Sequence, residues 1–88
     1  MELFQCPCCD HFTLEERGMW DICPVCFWED DGCDLDDLES LGSGCNHGLT
    51  LQQGRDNFRR LGACDSEMIQ HVLPEKGRRK FKYVARTT

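Results

Sequence analysis

No run of about 18 apolar residues occurs anywhere in the chain, so no membrane-spanning helix is expected. The opening Met1-Glu2-Leu3-Phe4-Gln5 has no basic start, apolar run or small-residue cleavage site, so a secretory signal is not expected either. Bases are nearly missing from the first half: residues 1–48 set twelve acids against Arg17 alone. Residues 49–88 reverse this with four acids and nine bases, so −11 and +5 give the net −6. An acidic chain repels phosphate backbones, so nucleic acid is not expected as a partner. Catalytic signatures are also lacking. There is no H-E-x-x-H, no phosphate-cradling glycine loop, and no recognisable base beside a nucleophilic cysteine among His11, His47 and His71. An enzyme is not expected.

The chain is short as well. At 88 residues it makes one small domain, a size that often needs a metal, disulfides or a partner to fold. What it has in abundance is cysteine, eight in all. Without a secretory signal the thiols are expected in a reducing cytoplasm, where paired cysteines point to metal ligation and away from a disulfide framework.

The pattern agrees. Cys6-Pro7-Cys8-Cys9 and Cys23-Pro24-Val25-Cys26 each contain a C-x-x-C pair. Two such pairs about 15 residues apart match a four-thiolate site. Each pair sets two sulfurs on one side of a tight turn, and two facing turns make a tetrahedral cage. That cage suits Zn2+, or iron as the alternative, at metal–sulfur distances of about 2.3 Å. Cys6, Cys9, Cys23 and Cys26 are the expected ligands. Cys8 competes with Cys9, but C-x-C makes a poorer knuckle, so Cys8 is expected to be a spare or buried thiol. His11 is expected at the surface. Cys33, Cys45, His47 and Cys64 have irregular spacing and form a second site only if their loops converge.

Read in order, Leu3-Phe4-Gln5 and His11-Phe12-Thr13-Leu14 flank the first cysteine turn as short strands. Glu15-Glu16-Arg17-Gly18 has the polarity and glycine of a loop, and Met19-Trp20-Asp21-Ile22 is expected as the return strand. Phe27-Trp28 should cover the sulfurs. Seven acids from Glu29 to Glu39 lack the spacing of a calcium loop and read as a solvated acidic stretch. A flexible turn follows at Leu41-Gly42-Ser43-Gly44. Thr50 and Gln53 form a capping box, Gly62 a C-terminal stop, and Leu51, Phe58 and Leu61 one face of the helix between them. Gly54 on that stripe allows close approach to a neighbour, and Asp56 with Arg60 makes a supporting pair. A second short helix is expected over 67–73, capped by Ser66 and stopped by Pro74. The tail interleaves Lys80, Lys82 and Arg86 with Phe81 and Tyr83, and either frays or pairs as a strand onto the acidic half.

These residues carry a resemblance. Cys6-Pro7-Cys8-Cys9, Thr13-Leu14-Glu15, Gly18 and Ile22-Cys23-Pro24-Val25-Cys26-Phe27-Trp28-Glu29-Asp30-Asp31 resemble the bacterial cysteine-rich CPCC family. The likeness continues at Asn46, Leu51, Arg55, Asn57-Phe58 and Gly62-Ala63-Cys64, over roughly residues 4 to 75. It implies a small zinc-binding bacterial domain and brings no activity with it. The chain departs from the pattern at Asp10-His11, where a glycine and an aromatic are common.

The expected fold is therefore small α+β: a zinc-ribbon or rubredoxin-like β-hairpin with two C-x-x-C knuckles, then one or two helices. Residues 1–75 make the cysteine-rich metal-binding domain and 76–88 a basic tail. The expected role is a zinc-stabilised structural and protein-interaction module with a protein partner. The alternatives are a rubredoxin-like iron electron carrier, or an inhibitor or immunity-type protein using its acidic loop.

Overall fold

The computed structural model describes residues 2–39 and 42–86. Strand β1 (Phe4–Gln5) pairs antiparallel with β2 (Phe12–Leu14), Phe4 opposite Leu14 and Gln5 opposite Phe12, with a bulge between the two pairs. The first cysteine turn is the loop of this hairpin. Residues 19–22 do not return alongside β2 as expected. Instead Trp20 N–H donates to Asp30 O at 2.8 Å and Asp30 N–H to Asp21 O at 2.9 Å, with Ile22 bridging Glu29. Each C-x-x-C thus closes its own small hairpin. Trp20 sits at φ +61°, which turns the chain out of the extended geometry of a long return strand, and the pairing with Glu29–Asp30 holds it there.

Helix α1 (Leu51–Leu61) starts as its sequence dictates. Thr50 Oγ1 accepts from Gln53 N–H at 3.1 Å, and Gln53 Oε1 accepts from Thr50 N–H at 2.9 Å. It ends at Gly62, whose φ of +80° lets its N–H return to Phe58 O. Leu51 and Gly54 face the core and Phe58 is half-buried, whereas Leu61 stays exposed. Arg60 donates to Asn57, and Asp56 takes Gln52 and Arg59 in place of the expected Arg60. The second helix is a 3-10 turn, Ser66–His71, capped by Asp65 and not by Ser66. Pro74 then caps a further helical turn, α2 (Glu75–Arg78), a position where its missing N–H costs nothing.

The core is unusually rich in sulfur. Trp28, Leu14, Val25 and Leu51 are buried together with Cys6, Cys8, Cys9, Cys23, Cys26 and Cys64. The acidic stretch is only partly solvated. Asp30 is fully buried, accepting from Arg17 Nε at 2.9 Å and from the Gly18 and Gly32 amides at 2.6 and 3.1 Å. Asp34 takes Arg17 at 2.6 Å and Arg86 at 3.2 Å. Tethering two loops at once gives these acids a structural use that composition does not reveal. Leu41, part of the expected flexible turn, lies outside the described residues.

The tail does run as an extended segment onto the first half. Phe12 N–H donates to Lys82 O at 2.8 Å, Tyr83 bridges His11, and Arg86 meets Asp10 at 2.9 Å. Opposite charges in the two halves make that docking favourable. Among the described residues no helix is long and apolar enough to cross a membrane.

Candidate metal centre

The two cysteine turns are near copies of one another. In the first, Asp10 N–H donates to Cys6 O at 3.0 Å and Cys6 N–H to His11 O at 2.8 Å. In the second, Phe27 N–H donates to Cys23 O at 2.7 Å and Cys23 N–H to Trp28 O at 2.9 Å. Each closes on a residue with positive φ, +69° at Asp10 and +68° at Phe27. Asp tolerates that region; Phe pays for it, and the surrounding packing must hold it there.

Facing each other, the turns gather Cys6, Cys9, Cys23 and Cys26, whose sulfurs all lie within 4.8 Å of one another. Cys6 Sγ is 3.7 Å from Cys26 Sγ, and Cys9 Sγ is 3.7 Å from Cys23 Sγ. A tetrahedron of thiolates around an ion at about 2.3 Å has edges of about 3.8 Å. The donor set fits a metal ion in both chemistry and dimension. All four cysteines are at most 3% exposed.

The sequence profile described as cysteine-rich CPCC matches residues 4–79 of the 88. The chain belongs to the cysteine-rich CPCC family. Comparison with curated proteins and with solved structures finds no match to it.

In this CPCC protein the electrostatics of the cluster are those of a site made for charge neutralisation. Burial pushes the Cys6, Cys9 and Cys26 thiols up. Burial acts on Cys23 in the same direction, but hydrogen bonds from Cys26, Cys6, Cys9 and Thr13 outweigh it and hold Cys23 well below an ordinary thiol. The Thr13 hydroxyl donates to Cys23 Sγ at 3.0 Å, and the Trp28 amide to Cys26 Sγ at 3.4 Å. Four buried, mutually close sulfurs that also take donors from Thr13 and the Trp28 amide are a set that a divalent ion would complete.

Cys8 stays out of the cluster, buried at 2% exposure beside α1. His11, expected at the surface, is buried instead. Its Nδ1 lies 3.3 Å from Cys9 O and its ring 4.6 Å from Tyr83, because the docked tail covers it. Phe27 and Trp28 divide their work: Trp28 is fully buried in the core, while Phe27 is half-buried and stacks on His71 at 5.2 Å. Cys33, Cys45, His47 and Cys64 do not form a second ligand set. Cys64 is buried with its amide on Cys26 O, Cys45 is exposed, and His47 turns to Asp65 at 2.6 Å and Glu67 at 3.7 Å. Thr13 and the Trp28 amide were not legible as sulfur donors. A threonine beside Leu14 carries no pattern that separates it from an ordinary strand residue.

Proposed function

We propose that the CPCC protein holds one structural zinc ion at Cys6, Cys9, Cys23 and Cys26, and that it works as a zinc-stabilised interaction module in a reducing cytoplasm. The observation that carries this reading is the 3.7 Å spacing of buried sulfurs across two matching knuckles. A four-thiolate set leaves no position for water or substrate, which favours a structural ion over a catalytic one. The metal would supply folding energy, on the order of 10 kcal/mol for sites of this kind, to a domain whose core is largely sulfur.

Support for a protein partner comes from the surface. Met19, Trp20 and Ile22 are 57%, 59% and 46% exposed on one loop, an uncommon display of apolar side chains for a domain of this size. Elemental analysis of protein purified without added metal, read with its visible spectrum, tests the zinc. One colourless zinc per chain supports the reading. Iron with visible absorbance replaces it with electron transfer, and a metal-free protein without free thiols replaces it with a disulfide scaffold. For the partner, wild type should retain one defined protein from native extract that Trp20→Ser does not; no difference between them counts against the loop.

A further inference from the structure

His47 is placed by a closed turn. The Asn46 and Gly48 amides both donate to Ser43 O, at 3.1 and 2.7 Å, and Ser43 N–H donates to Leu49 O at 2.7 Å. Asn46 fixes this turn to the segment after the second knuckle. Its side chain accepts from Glu29 N–H and donates to Glu29 O, both at 2.8 Å. The imidazole is 45% exposed, on a backbone held at φ +58°.

Two carboxylates from the far side of α1 in sequence meet that ring. Asp65 Oδ1 accepts from Glu67 N–H at 3.2 Å, which leaves Oδ2 to face His47 Nδ1 at 2.6 Å. Glu67 brings Oε2 to 3.7 Å from the same nitrogen, and all three donor atoms lie within 4.8 Å of one another. Around a first-row divalent ion with bonds of about 2.0–2.2 Å, neighbouring nitrogen and oxygen donors stand about 3 Å apart. The observed 2.6 and 3.7 Å fall on either side of that figure, and the 75% exposed Glu67 side chain is free to close the difference. Among the described residues no lysine or arginine pairs with Asp65 or Glu67. The adjoining cavity, about 190 Å³, is lined by His47, Asp65 and Glu29 without any lysine or arginine. With a neutral imidazole the local charge is therefore negative, and no side-chain cation competes for the position.

We propose that His47, Asp65 and Glu67 form a second metal site, at the surface, for one exchangeable divalent ion of the zinc type. The ion takes the place of the proton between His47 Nδ1 and Asp65 Oδ2, and its binding releases that proton to solvent. The nitrogen donor separates the group from a patch of acids that merely screens charge: imidazole suits zinc and its first-row neighbours, whereas Mg2+ prefers oxygen alone. Three protein donors leave positions for water, so the ion exchanges readily, unlike one enclosed by four buried thiolates. The inference does not depend on which metal the cysteines hold.

The test is an NMR titration of the full metal-loaded chain, dialysed free of loosely held ions, with Zn2+ and separately with Mg2+ at pH 7.5. Saturable shifts of the His47 imidazole and the Glu67 amide are expected with Zn2+, complete at one added ion per chain, and not with Mg2+ at equal concentration. His47→Gln should abolish them. Glu67→Gln should weaken Zn2+ binding about tenfold, the loss of one charge at contact distance in a partly solvated site. Both positions are exposed, so each variant should keep the fold and the tightly held metal of wild type. An equal response to Mg2+ overturns the assignment, since a screening patch of acids would give the same. So do equal shifts at His71, which would mean that zinc takes any surface imidazole. Unchanged Zn2+ affinity in Glu67→Gln, or shifts confined to the cysteines, overturns the site.

Discussion

A Cβ placed on Gly54 would stand 2.7 Å from Cζ3 of Trp28, whose ring is fully buried between α1 and the second knuckle. Helix α1 therefore packs on Trp28, the residue that closes the second knuckle, at very close backbone approach. Two effects oppose each other in Gly54→Ala. Helix propensity gains about 1 kcal/mol, while overpacking against a ring that cannot swing away costs about 1–3 kcal/mol. With the Cys8 sulfur also 3.4 Å from that Cβ, the clash should win. Gly54→Ala is expected to lower the denaturation midpoint of the metal-loaded protein. A midpoint equal to or above wild type would show that Trp28 is less firmly held than its burial implies.

On the proposed zinc reading, the two adjacent cysteines of the first knuckle have different roles, ligand and filler. Cys9 is in the four-sulfur group and Cys8 is not. Cys9→Ser should release the metal to a chelator that wild type resists, and should lose the folded state with it, because the binding energy is folding energy. Cys8→Ser should keep one metal per chain. Its buried sulfur makes it less stable by about 1–2 kcal/mol. Metal content after dialysis against chelator distinguishes them, and retention in both variants would remove Cys9 from the site.

The features readable from sequence are those whose cause is local. The C-x-x-C turns, the Thr50–Gln53 box and the Gly62 stop each need only residues within one turn of each other. Gly54 was legible because an unsupported glycine inside a helix asks for a packing reason. The misreadings at residues 19–22, His11 and Asp30 share a different origin. Each depends on a segment distant in sequence: Glu29–Asp30 pairing back on Trp20–Ile22, the tail covering His11, and Arg17 reaching the Asp30 carboxylate. The left-handed closure at Phe27 could not be read from residue type, since a bulky aromatic is among the least expected residues there.

Thr13 offers a finer probe of the cluster. Its hydroxyl donates to Cys23 Sγ at 3.0 Å and helps hold that thiol low. Thr13→Val keeps the shape and removes the donor, so metal affinity should fall about tenfold, the size usual for groups that support a ligand. Thr13→Ser should restore it. Competition with a chromophoric chelator at fixed pH measures the ratio, and equal affinities for Val and wild type would reduce Thr13 to packing.

Asp30 carries the loop that follows the second knuckle. Truncation to Ala takes one of two carboxylates from Arg17, which keeps Asp34, and leaves the Gly18 and Gly32 amides without their acceptor. Arg17 is partly exposed and can rehydrate, so the cost should sit near the lower end for a broken buried pair, about 3 kcal/mol. Asp30→Asn keeps an acceptor oxygen and should lose less. Equilibrium denaturation of both metal-loaded variants gives the comparison; equal losses would mean that charge, and not the acceptor, is what the loop needs.

At the surface, His47 and Asp65 set a pH dependence that does not involve the cysteines. The Asp65 carboxylate, 2.6 Å away, raises the His47 pKa above its ordinary value of about 6.5, and His47 lowers Asp65 in return. A raised folded-state pKa gives a stabilising contribution that is fully present below about 6.5 and is lost as pH rises through the folded value. Asp65→Asn can still accept from the Glu67 amide as the cap of the 3-10 turn, so it removes the charge and spares the cap. The imidazole of His47, followed by NMR in the metal-loaded protein, should titrate above 6.5 in wild type and move back toward that value in Asp65→Asn. The variant should be less stable than wild type at pH 5.5 and indistinguishable once His47 is neutral. An unchanged His47 titration would mean that the ion pair is not formed in solution.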